Sequence, residues 1–175
     1  MPVPESALII VVPEAEELVS PFRSRHDPSA AVGVPAHITL LHPFRQPDDI
    51  TGAVIDGLRR CFARFAPFDF ALEALRRFPQ ALYLAPEPAE PFRQLTRVIW
   101  ERHPETPPYG GRYPDIVPHL SLGDRLDQAA LDRIEAEFAR AARGRLPVWA
   151  RATEVTLLEN RNGRWQTRLR LPLGA

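Results

Sequence analysis

The sequence predicts an α+β fold built on a duplicated unit, with one chain forming two lobes. Three observations predict it. Short apolar or alternating strand-like runs are interleaved with segments of helical period along the whole chain. A His–apolar–hydroxyl–apolar phrase occurs twice, at His37 and at His119, close to half a chain length apart. The 175 residues, 45% hydrophobic and 25% charged, are enough for one core of ordinary size, so residues 1–175 are expected to form a single domain.

The elements follow in order. Residues 7–12 are continuously apolar with β-branched content and stop at Pro13, as a buried first strand would. A short helix is predicted over 14–25, with Glu14, Glu16 and Glu17 favourable in its first turn and Pro21 unfavourable in its body. Residues 36–44 form the next strand, closed by Pro43. Ile50, Val54, Ile55, Leu58, Phe62 and Phe65 recur at helical spacing over 48–65. Strands at 68–78 and 81–85 surround Pro79. Phe92, Leu95, Val98 and Ile99 mark a helix over 89–103, and a proline-rich loop leads to a strand at 118–123. Leu131, Ile134 and Phe138 build a helix over 127–143 with Asp127 as its N-cap. Strands at 148–159 and 165–173 enclose Asn160-Arg161-Asn162-Gly163, which has hairpin-turn chemistry. Each half therefore reads as strand, helix, strand, strand, opening on its His-bearing strand.

Composition removes several classes of function. All 22 basic residues are Arg, so lysine Schiff bases, P-loop lysines and lysine general bases are excluded. The 22 acidic residues balance them, leaving no global field for long nucleic acid or an anionic membrane. Cys61 is the one cysteine, which rules out an internal disulfide and a CxxC metal site. The first apolar run is too short for a signal-peptide core or a membrane span, and a cytoplasmic location is expected.

The paired phrases carry the chemistry. Side chains alternate along a strand, so His37 and Thr39 share one face while Ile38 and Leu40 share the other. His119 and Ser121 alternate in the same way with Leu120 and Leu122. Each strand thus presents an imidazole and a hydroxyl about 7 Å apart, with an apolar face behind. Two imidazoles can take and give protons near neutrality. Two hydroxyls can donate to non-bridging phosphate oxygens as charge builds there. Either His alone would read as a hydrogen-bonded sheet residue; the repetition favours a paired site.

The chain resembles the two-histidine (2H) phosphoesterases of the bacterial 2′-5′ RNA ligase-like kind, whose signature is a His-x-Thr/Ser strand in each lobe. The match runs through VPAHITLLHPF, YGGRYPDIVPHLSLGD and the closing hairpin around Gly163-Arg164-Trp165. Ser121, where threonine is commoner, keeps the hydroxyl. The resemblance implies a pseudo-symmetric bilobal α+β fold with two antiparallel sheets, outer helices and a central cleft. It implies His37 and His119 as the acid–base pair and Thr39 and Ser121 as phosphate anchors. The activity implied is phosphodiesterase action on 2′,3′-cyclic phosphates, 2′-5′-linked RNA ends or small cyclic nucleotides, with no metal or cofactor. The expected partner is a small nucleotide or an RNA terminus. A non-catalytic module binding nucleotides or RNA ends through the same cleft is the alternative.

Other residues carry less. Arg168 and Arg170 alternate with apolar residues on the last strand, either facing phosphate from the His–hydroxyl side or solvating a sheet rim. Tyr109 and Tyr113, just before His119, could stack on a base or merely stiffen a connector, and Tyr83 is a weaker candidate for stacking. His42 falls on the opposite face from His37 by parity, and His26 and His103 sit at helix ends; all three read as structural. Asp115 and His119 are four apart but separated by Pro118, so they do not form a helical metal pair.

Overall fold

The computed structural model describes residues 3–174. Its elements are β1 (Glu5–Val11), α1 (Pro13–His26), the single turn α2 (Pro28–Ala31), β2 (His37–Leu41), α3 (Gly52–Phe62), β3 (Phe68–Phe78), β4 (Ala81–Glu87), α4 (Glu90–Arg102), β5 (Leu120–Gly123), α5 (Gln128–Ala141), β6 (Val148–Ala152), β7 (Glu154–Asn160) and β8 (Trp165–Pro172). They form two four-stranded antiparallel sheets, ordered β2-β1-β7-β8 and β5-β4-β3-β6. This is the α+β architecture with paired antiparallel sheets that the sequence predicts.

The duplication divides the chain differently from the strand–helix–strand–strand reading. The equivalent units are β1-α1-β2 and β4-α4-β5, so each begins one strand before its His strand. The segment read as one strand over 148–159 is two strands. The chain leaves β6, paired with β3, at Thr153 and enters β7, paired with β1 and β8. The first sheet therefore takes strands from both ends of the chain. Hydropathy within a strand-like run reports burial but not partner, so this crossing leaves no mark in the pattern.

Local chemistry fixes the helix ends. α1 starts on Pro13, where a missing N–H costs nothing, with Glu14 and Glu16 in its first turn. It continues through Pro21. That residue is exposed, while Ala15, Leu18, Val19 and Phe22 are buried, and burying such a stripe outweighs a cost of about 3 kcal/mol for an internal proline. α3 begins at Gly52 rather than near residue 48, because Thr51 caps it by accepting from the Val54 N–H and residues 47–49 form a 3₁₀ turn. Asp127 caps α5 by accepting from the Ala130 N–H at 2.8 Å. At the β7–β8 turn, Asn160 Oδ1 accepts from the Gly163 N–H at 2.7 Å, and Gly163 takes φ +89°, a value open to glycine.

One contiguous core joins the apolar faces of both sheets to the helices, including Leu8, Ile10, Ile38 and Leu40 from one sheet and Leu72, Leu82, Leu84 and Leu120 from the other. α1 packs against β5 and α4 against β2, so each His strand is backed by the helix of the other unit. β2 and β5 are edge strands, and they lie beside each other where the sheets meet. No described helix is long and apolar enough to cross a membrane.

Candidate functional site

β2 alternates as its sequence demands: Ile38 and Leu40 are buried, while His37 and Thr39 are half-buried on the other face. β5 does the same with Leu120 and Leu122 buried and Ser121 half-buried. His119 stands one residue before β5, and the strand itself begins at Leu120 rather than at 118.

The two imidazoles are held alike. His37 Nδ1 lies 2.8 Å from the Pro35 carbonyl oxygen, and His119 Nδ1 lies 2.7 Å from that of Val117. A carbonyl can only accept, so Nδ1 carries the hydrogen in each ring and Nε2 of the neutral ring holds a lone pair. A proline within two residues before each His stiffens this reach back to the carbonyl two positions upstream.

Their surroundings differ. His37 and Thr39 pair across the sheet with Val11 and Ile9, and Ile9 belongs to a small aliphatic cluster with Ala7, Val34 and Leu158. His119 lies among aromatic rings. Phe78 meets it edge-on at 5.1 Å between centroids, Tyr83 at 5.6 Å, and Tyr109 stacks on it at 6.2 Å. Burial pushes the His37 imidazole down to about 4, helped by the positive charge of Arg23. Burial also lowers His119, against the opposing effect of its bond to Val117.

Tyr109 joins the two motifs. Its phenol lies beside the Thr39 hydroxyl, its ring covers His119, and its N–H donates to the His42 carbonyl at 2.7 Å. Burial raises the phenol to about 12, so it stays protonated. The backbone is left-handed at Tyr109, Gly110 and Gly111 in succession, a sharp reversal that carries the tyrosine inward. Tyr113 meets Tyr109 edge-on at 5.8 Å and is itself 65% exposed. Tyr83 is buried and stacked on Phe78 at 4.2 Å, which makes it a wall rather than an open stacking surface.

The arginines of β8 separate. A β-bulge at Leu157/Leu158 sets Arg170 opposite Thr156 and Thr167 opposite Leu158, so Arg168 does not share the His–hydroxyl face. Its guanidinium donates to the carbonyls of Pro47 at 2.7 Å and Ile50 at 2.9 Å and pairs with Glu159 at 3.1 Å. Arg170 does share the face of Thr39, through the row Thr39–Ile9–Thr156–Arg170, but three strands away, about 14 Å at the usual strand spacing. It is exposed and faces Glu154 at 3.5 Å. His42 bonds Glu5 at 3.0 Å and packs edge-on to Trp165, a structural position.

Two cavities adjoin the pair. One of about 50 Å³ lies among Thr39, Thr96, Trp100, Tyr109 and Tyr113. The other, about 300 Å³, opens on the His119 side between Arg76, Tyr83, Glu87, Arg93 and Val117. Trp100 and Arg76 were not singled out from sequence. Thr96 and Trp100 stand one helical turn apart on α4, and Arg76 lies directly across from Tyr83, which itself faces Ser121. Arg23 was also missed, although it falls on the apolar stripe of α1 beside Phe22. Among the described residues, no three His, Cys, Asp or Glu side chains are grouped so as to hold a metal ion.

These features, two His–hydroxyl motifs at adjoining edges of paired antiparallel sheets, fit the matches to known proteins. The sequence model of the 2′-5′ RNA ligase superfamily matches residues 11–164, and the chain belongs to that family. A Bacillus licheniformis protein named "putative phosphoesterase" is 26% identical over 114 residues, a match covering 63% of this chain and 64% of that protein's length. Among solved structures, E. coli LigT complexed with 3′-AMP is 17% identical with a TM-score of 0.63 and covers 98% of both chains. The protein TT0787 of Thermus thermophilus is 18% identical with a TM-score of 0.62, covering 97% of both. At that identity the two structures establish the shared fold.

Proposed function

We propose that the chain is a phosphodiesterase that opens 2′,3′-cyclic phosphates or acts on 2′-5′-linked RNA ends or small cyclic nucleotides, by acid–base catalysis between His37 and His119 and without a metal. The observation that carries this reading is the matched pair of imidazoles, each with Nδ1–H on a carbonyl and Nε2 left to exchange protons. In hydrolysis of a cyclic phosphate, one Nε2 takes a proton from water as the water oxygen bonds to phosphorus. The P–O3′ bond breaks, and the departing oxygen takes a proton from the other ring's Nε2–H, leaving a 2′-phosphate. Each carbonyl bond favours the cationic ring at the moment it forms. Thr39 and Ser121 donate hydroxyl hydrogen bonds to the non-bridging oxygens.

The family and the nucleotide seen with LigT support a small nucleotide or strand terminus as ligand. The zero net charge also favours this over long nucleic acid, and the 300 Å³ cavity is of small-molecule size. The test is turnover of 2′,3′-cyclic nucleotides in excess EDTA. Activity should persist in the wild type and vanish in His37→Ala and in His119→Ala. Activity surviving both substitutions would overturn the proposal, and calorimetric binding without turnover under any condition would make the chain a binding module instead.

A further inference from the structure

Arg23 is a charged side chain only 2% exposed, and the acid–base chemistry above makes no use of it. Burying a guanidinium is costly unless its donors are met. Here they are met by groups that lead to His37. Nε pairs with Asp27 at 2.9 Å, while Nη2 donates to Ser29 Oγ and to the Val34 carbonyl, each at 3.1 Å. Asp27 in turn accepts from the backbone N–H and the hydroxyl of Ser29, locking the turn after α1.

The segment from Val34 to Ala36 is gripped on both sides of Pro35. Arg23 holds the Val34 carbonyl, the Ala36 N–H donates to Glu16 Oε2 at 2.8 Å, and the Ala36 carbonyl accepts from the Val12 N–H at 2.9 Å. Between these tethers lies the Pro35 carbonyl, which orients the His37 imidazole. Behind His119 the hold is lighter: from α4 the half-buried Arg93 donates its Nε–H to the Ile116 carbonyl at 3.0 Å, next to the Val117 carbonyl that orients the ring, and the surroundings are aromatic.

We propose that Arg23 is a positioning residue for His37, fixing the peptide that aims the imidazole. The inference rests on the reading of His37 as one of the acid–base pair. The groups whose charge reaches that ring are Arg23 on α1, Asp27 at its C-terminal end, and His119 across the strand junction. Arg23 disfavours the imidazolium and Asp27 favours it, and the ring's low value of about 4 fits a site where burial and Arg23 prevail. A neutral ring at physiological pH is ready to accept a proton.

The test is the NMR titration of both histidine rings, read without substrate, alongside the pH dependence of turnover. Arg23→Met should raise the His37 titration midpoint and leave that of His119 in place. Asp27→Asn, which keeps the shape of the turn, should lower the His37 midpoint. Arg23→Lys keeps the charge but not the forked contacts, so His37 should still titrate low while kcat falls about tenfold or more with KM little changed. Should Arg23→Met fail to fold, Asp27→Asn and Arg23→Lys still decide. An Arg23→Lys variant with wild-type kcat, or Arg23 and Asp27 variants that leave the His37 midpoint unmoved, would overturn the proposal. Correct titration shifts in a protein without turnover would instead count against the catalytic reading.

Discussion

Tyr109 lies across the two motifs, its ring stacked on His119 at 6.2 Å between centroids and an interplanar angle of 26°, its phenol beside the Thr39 hydroxyl at the same small cavity. A phosphate that takes the Thr39 hydroxyl must therefore displace the phenol from it. Moving the phenol aside costs at most the net worth of one neutral hydrogen bond, about 0.5–1.5 kcal/mol. Tyr109→Phe keeps the stacked ring and removes the competitor, so KM for a cyclic nucleotide should fall about two- to tenfold with kcat close to wild type. Steady-state kinetics would check this; a raised KM would mean that the phenol contacts substrate rather than competing with it.

Arg168 and Arg170 are separable by a stability measurement. Arg168 holds two carbonyls of the 47–50 turn and a half-buried carboxylate, and hydrogen bonds from a charged donor are worth about 1.5–3 kcal/mol when the acceptors are left unmet. Arg168→Ala should lower unfolding stability by about that amount. Arg170→Ala, an exposed side chain facing one carboxylate, should change it by less than about 0.5 kcal/mol. Urea denaturation of both variants distinguishes them, and equal midpoints would show that the clamp on the turn contributes nothing.

How much of this was legible in the sequence depends on the range of the interaction involved. The alternation of Ile38 and Leu40 with His37 and Thr39 is set by strand geometry alone, and the structure reproduces it. The caps at Thr51 and Asp127 are equally local: Asp127 was readable, whereas the start of α3 was misplaced because the 47–49 turn imitates a helix end. Arg168 leaves the face that alternation offers it because it is itself the extra residue of a bulge opposite Leu157 and Leu158, and nothing in its residue type announces one. The chain's passage between sheets at Thr153 and the inward turn of Tyr109 depend on which distant segments pair. Arg23 could have been noticed as a charge on an apolar helical stripe, four residues before Asp27, but its effect on His37 acts through space.

The low titration of His37 gives folding stability a dependence on pH. The unfolded ring binds a proton near its ordinary value of 6.5, while the folded ring does so only at about 4. As pH falls from 6.5 towards 4, the unfolded state gains the proton first and stability is lost; below about 4 both states are protonated and this loss stops. Burial lowers His119 in the same direction. Linkage for a shift of this size reaches about 3 kcal/mol, and the half-buried ring's contact with water reduces the expected effect to about 1–2 kcal/mol. Carboxylates titrate in part of the same window, so the decisive quantity is the difference between wild type and His37→Gln, which has no titrating ring. Urea midpoints measured at about pH 7, 5.5 and 4 should fall more steeply for the wild type, and the two proteins' curves should converge towards the acid end. Parallel curves across that range would mean that His37 titrates normally in the folded chain.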